Sequence, residues 1–95
     1  MNYYITNEQM KEIEDRAEKA MFVSCKEQAK TDIDRIRFII GDVWGSNRNI
    51  LSEVANAVSN ASGSVADKET KVRIAREQLI KARMFCVEDD RNHGN

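Results

Sequence analysis

From Met10 to Val43 the apolar residues of this chain fall three or four positions apart, and no proline occurs anywhere in the 95 residues to interrupt them. The stripe runs through Met10, Ile13, Ala17, Ala20, Met21, Cys25, Ala29, Ile33, Ile36, Ile40 and Val43. This spacing puts them on one face of an α-helix and does not fit the two-residue alternation of a half-buried strand. Thr6-Asn7-Glu8-Gln9 supplies the start signal, because the Thr6 hydroxyl can accept an orphan amide proton while Gln9 reaches back to the cap. The pattern predicts one long N-terminal helix, on the order of 50 Å at ~1.5 Å per residue. A compact domain of this size cannot cover such a helix, so its far end, with Ile40 and Trp44, is expected to meet another subunit. Glu12 with Arg16 and Asp15 with Lys19 support its solvent face at the i,i+4 spacing. Gly41 is a candidate kink, and Gly45-Ser46-Asn47 a stop.

A second, Ala-rich helix is expected from about Arg48 to Ala61, with Ile50, Leu51, Val54, Ala55, Val58 and Ala61 on one side. Ser59 to Ser64 reads as a turn, with Gly63 free to take the left-handed conformation that closes a helix. A third helix is expected to begin near Ser64 or Asp67, with Val72, Ala75, Leu79, Ala82 and Cys86 facing the core. Ile74, Ile80, Met84, Phe85 and Val87 fall outside that stripe. They widen the apolar arc beyond what one packed neighbour covers, so Ile80, Met84 and Phe85 join Ile40 and Trp44 as expected interface residues. The domain is expected to span residues 1–87, and the polar stretch 88–95 to fray as a disordered tail.

Composition agrees with an all-α fold: one long N-terminal helix and two shorter ones forming a helical hairpin or bundle. The chain has 4 glycines and is rich in helix-forming residues. A chain this short buries a modest fraction of its surface, so a homo-oligomer is expected. Cys25 and Cys86 read as small buried hydrophobes on helix faces, and no basic and apolar leader precedes them, which points to the cytoplasm. With 1 His and no close Cys pair, no zinc site, other metal or cofactor is expected. Lys and Arg total 15 against 16 Asp and Glu, so no general nucleic-acid field exists and duplex binding is not expected. No apolar run approaches the roughly 20 residues that span a bilayer.

The third helix is nevertheless basic. Lys68, Lys71, Arg73, Arg76, Lys81 and Arg83 are opposed within it only by Glu69 and Glu77. Arg73, Arg76 and Arg83 share a face and present planar, multi-donor groups suited to phosphate oxygens. The competing reading is a solvated face, since Glu69 and Glu77 each precede a cation by one turn. Tyr3 and Tyr4 either stack on bases or pack over a helix end or a neighbouring subunit. Lys26, one turn before Lys30, is a further candidate phosphate contact. No acid/base pair, nucleophile or other catalytic signature is present, so the chain is not expected to be an enzyme.

Ile74-Ala75, Leu79, Ala82, Met84 and Phe85 give the pattern I-A-x-x-x-L-x-x-A-x-M-F over about an eighth of the chain. It resembles the helical-hairpin segment of phage anti-CBASS sponge proteins, where the same places hold aliphatic-Ala, Leu, Ala and Met-Trp. The resemblance implies a homo-oligomer in the bacterial cytoplasm that binds a cyclic di- or trinucleotide without cleaving it and so blunts host anti-phage signalling. Under that reading Tyr3 or Tyr4 would stack on a base, and the arginines of the third helix and Lys26 would meet phosphates. The alternative is a small helical inhibitor or adaptor that docks on a host protein through the basic helix.

Overall fold

The computed structural model describes residues 2–88. Its α-helices are α1 (Asn7–Met21), α2 (Lys30–Ile40), α3 (Ser46–Ala61) and α4 (Lys68–Cys86), with a 3-10 turn, Lys26–Ala29, leading into α2. Successive helices run antiparallel, giving an up-and-down bundle with α4 also antiparallel to α1. Apart from Glu88, the tail expected over residues 88–95 lies outside the described residues.

The Thr6 cap forms as its sequence dictates. The Gln9 amide N–H donates to Thr6 Oγ1 (3.0 Å), and the Thr6 amide N–H donates to Gln9 Oε1 (2.9 Å). The helix that starts there, however, does not run on to Val43. It stops at Met21, and the chain folds back before Lys30. Val23, Ser24 and Cys25 are weak helix formers, and Gln28 Oε1 accepts from the amides of both Ser24 (3.1 Å) and Cys25 (3.3 Å), fixing a turn. Folding back also lets α2 lay Ile33, Ile36, Ile39 and Ile40 against Met10, Ile13, Ala17 and Met21 instead of leaving them along an exposed rod. Fully burying one such large aliphatic side chain contributes about 1.5–3 kcal/mol, so these isoleucines together outweigh a few extra helical hydrogen bonds at about 0.5–1.5 kcal/mol each. Two expectations fall with the long helix. Ile40 is 5% exposed within this chain's own core and does not face a neighbouring subunit, and Cys25 lies exposed in the turn. Cys86 is buried as expected, and burial pushes its thiol up to about 11.

The α1–α2 hairpin is tied by charge. Glu12 Oε2 accepts from Arg16 Nε and Arg35 Nε, each at 2.8 Å, and Arg16 Nη1 donates to the buried Asp32 carboxylate at 3.0 Å. The Arg35 and Arg16 hydrogen bonds hold Glu12 below its ordinary value of 4.5. A carboxylate depressed by folding contributes stability that is present above its unfolded pKa and lost as pH falls through the folded one. Thermal melts are therefore expected to be flat from neutral pH to about 5 and to fall below it, with a shallower acid slope in Glu12→Gln. An unchanged slope in that variant would remove the network from the acid response.

The N-terminal segment straps one end of the bundle. Asn2 bridges Val43 and Ile5 bridges Val87. The Ile5 amide donates to the Cys86 carbonyl (2.9 Å), the Trp44 amide to the Asn2 carbonyl (2.8 Å), and Asn47 Nδ2 to the Tyr3 carbonyl (2.6 Å). Ile5 is buried, so the strap closes the core where α1, α3 and α4 share an end.

Candidate ligand-binding groove

The α3–α4 hairpin supplies the broadest helix pairing, and its turn is built on a glycine. Gly63 has φ +67°, and a Cβ added there would lie 2.6 Å from the Lys26 amide nitrogen and 3.0 Å from the Cys25 carbonyl carbon. Only a residue without a side chain satisfies both the left-handed backbone and the close approach. The approach presses the α1–α2 turn onto the α3–α4 turn, which carries Lys26 to the mouth of a groove between α3 and α4.

That groove encloses about 500 Å³ and is lined by Glu53, Asn56, Ala57 and Asn60 from α3, Lys71, Ile74 and Gln78 from α4, and Lys26. The volume lies within the range of about 300–1,000 Å³ typical of ligand pockets. Lys71 is held in place by Ser64, whose Oγ accepts from Nζ at 2.9 Å. Asn56 Oδ1 accepts from Arg37 Nη2 at 3.4 Å. The walls therefore bring together two ammonium groups, three carboxamides and one carboxylate over a small apolar floor of Ala57 and Ile74. Such a set offers charge for an anion and paired donors and acceptors for a polar heterocycle.

The remaining candidates are distributed elsewhere. Arg83 grips Glu14 with both arms of its guanidinium, Nε to Oε2 at 2.9 Å and Nη2 to Oε1 at 2.6 Å, and adds Asn7 Oδ1 at 3.4 Å. Arg76 donates to Glu18. The basic face of α4 thus meets the acidic residues of α1 within one chain, a complementarity that a reading of the fourth helix alone could not detect. Arg73 has no hydrogen bond or ion pair among the described residues. It lines a second groove, of about 740 Å³, with Phe22, Val72, Arg76 and Ile80 among its walls. Lys68 Nζ and the Arg76 guanidinium each sit 5.6 Å from the centre of the Phe22 ring.

Tyr3 and Tyr4 gather with Trp44, Ser46 and Asn47 around a recess of about 330 Å³ at the strapped end. The Tyr3 ring packs over Gly45, 3.2 Å from where a Cβ would stand. Lys26 is at the opposite end of the bundle, so the tyrosines and Lys26 do not meet within one chain. Trp44, Ile80, Met84 and Phe85 are exposed. Sequence reasoning named Lys71 only as one cation of the basic helix and missed Glu53, Asn56, Asn60 and Gln78; their signal was present only as polar residues flanking the apolar stripes of two helices. Among the described residues no helix is long and apolar enough to cross a membrane. No family model, curated protein or solved structure matches this chain.

Proposed function

We propose that this protein sequesters a cyclic di- or trinucleotide without cleaving it, as a homo-oligomer, and thereby antagonises host anti-phage signalling. The observation that carries the reading is that Lys26 and Lys71 line one groove together with three carboxamides, the Glu53 carboxylate and a small apolar floor. Ammonium groups suit phosphate oxygens, and carboxamides suit base edges. The resemblance of α4 to the sponge hairpin gives the same ligand class. Trp44, Ile80, Met84 and Phe85 supply apolar surface for contacts between subunits, which would let Tyr3 and Tyr4 of one copy approach the groove of another.

Calorimetric titration with a panel of cyclic di- and trinucleotides tests the reading. Binding of at least one member is expected, with Lys71→Ala weakening it about tenfold, the scale of a lost charge-assisted hydrogen bond. The ligand should be recovered intact after denaturation. No heat across the panel would remove the proposal.

A second reading draws on the Phe22 groove. Ile80 is exposed and shares that groove with the unpaired Arg73, and Met84 is exposed one helical turn beyond Ile80. That surface suits a small inhibitor or adaptor that docks on an acidic host protein. A single stoichiometric host protein retained by the wild type and lost with Arg73→Glu, together with silent calorimetry, would favour it.

A further inference from the structure

The α3–α4 groove is chemically graded along its length. The antiparallel register is fixed at one end by Lys68 Nζ donating to the Ala61 carbonyl, and at the other by the Cys86 Sγ contact to the Asn47 carbonyl at 3.5 Å. Between those anchors Asn60 falls opposite Lys71, Ala57 opposite Ile74, and Glu53 opposite Gln78. Lys26 joins the Lys71 end through the Gly63 contact. The groove therefore runs from a cationic end, across a small apolar floor, to an end formed by Glu53, Asn56 and Gln78. Neither Glu53 nor Gln78 has a hydrogen bond or ion pair among the described residues, and the Arg37 contact engages the oxygen of Asn56 and leaves its amide N–H donors on offer.

We infer that the groove selects a guanine-containing ligand, with Glu53 and the neighbouring carboxamides reading the Watson–Crick edge of the base. This rests on the nucleotide reading of the groove given above. A carboxylate is an acceptor only, and it is best matched by two adjacent N–H donors. Guanine presents that pair as N1–H and N2–H, with the O6 acceptor beside them for an amide N–H of Gln78 or Asn56. Adenine places the N1 lone pair where the carboxylate needs a donor. Uracil offers one N–H between two carbonyls, and cytosine one amino group next to a bare ring nitrogen. With the base lying on Ala57 and Ile74, its phosphate falls toward Lys71 and Lys26, so the polarity of the groove and that of a nucleotide agree. The presence of an acidic residue in an otherwise anion-seeking groove has a role under this assignment, whereas against phosphate alone it would be repulsive.

Calorimetry with cyclic di-GMP and cyclic di-AMP, on the wild type and on Glu53→Gln, tests the inference. The wild type is expected to bind cyclic di-GMP at least about tenfold more tightly, and the variant to narrow that ratio to about threefold or less by weakening the guanine ligand. The helical circular dichroism of the variant should match the wild type, since Glu53 is exposed. Equal affinities in the wild type, or a preference that survives Glu53→Gln, would overturn the guanine assignment while leaving the groove as a nucleotide site. No heat with either compound, when other cyclic nucleotides of the panel bind, would also overturn the guanine assignment alone. Silence across the whole panel would overturn it together with the reading beneath it.

Discussion

Gly63→Ala is expected to lower stability by about 3 kcal/mol, combining a left-handed backbone that costs an L-residue about 1–2 kcal/mol with a clash of overpacking scale, about 1–3 kcal/mol. For a chain of this size that corresponds to a fall in Tm of about 12–24 °C. The two costs can be separated. Asparagine tolerates positive φ far better than alanine but carries the same Cβ, so Gly63→Asn should recover only about 1 kcal/mol if the close approach to the Lys26 nitrogen dominates. Urea unfolding of both variants checks this. Near-wild-type stability in Gly63→Asn would show that the backbone angle alone matters and that the two turns are not pressed together. Because the same contact carries Lys26 to the groove, Gly63→Ala should also weaken the proposed nucleotide binding under conditions where the variant is still folded.

Much of the fold was legible because the helical period survives the interruption of a helix. The residues from Met10 to Val43 keep their three-and-four spacing on either side of the turn, and each is buried except Cys25. Periodicity reports which face is apolar, but not whether the axis is continuous. The break was written in Val23-Ser24-Cys25 and in Gln28, whose side chain satisfies two turn amides, a signal of one side chain against a long run of favourable spacing. The third predicted helix, by contrast, was read correctly in its core face, and Gly63 in its positive φ.

The site was less legible for a different reason. Charges on α4 counted in isolation look like an offer to an anion, yet Arg76 and Arg83 face Glu18 and Glu14 across the bundle. Those partners lie far away in sequence, and nothing local distinguishes a glutamate that will meet an arginine from one that will meet water. Lys26 and Lys71 likewise become neighbours only through the stacking of two turns. Exposed ion pairs contribute little to stability, about 0–1 kcal/mol each. Their consequence here is that the cations of α4 left without a carboxylate partner among the described residues are Lys68, Lys71 and Arg73 in its first half and Lys81 in its second.

Lys68→Met is the second large effect expected, a loss of about 2–3 kcal/mol, and it bears on the same junction. Lys68 Nζ donates to the carbonyls of Met21 and Ala61, the last residues of α1 and α3. Helix ends leave carbonyls without intrahelical partners and carry partial negative charge, so one ammonium group serves two termini at once. Hydrogen bonds to a charged group contribute about 1.5–3 kcal/mol each, and the loss of two is offset in part because methionine relieves the cost of desolvating an ammonium. Methionine keeps the length and the apolar stem, so a fall in Tm of about 8–24 °C would report the lost donor and not lost packing. Wild-type stability in Lys68→Met would mean that water, beside the Ser64 amide that also donates to the Ala61 carbonyl at 3.3 Å, serves these helix ends equally well. Since Lys68 and Gly63 hold the same two turns together, the double variant should lose less than the sum of the singles. Additivity within about 0.5 kcal/mol would show instead that the turns are secured independently.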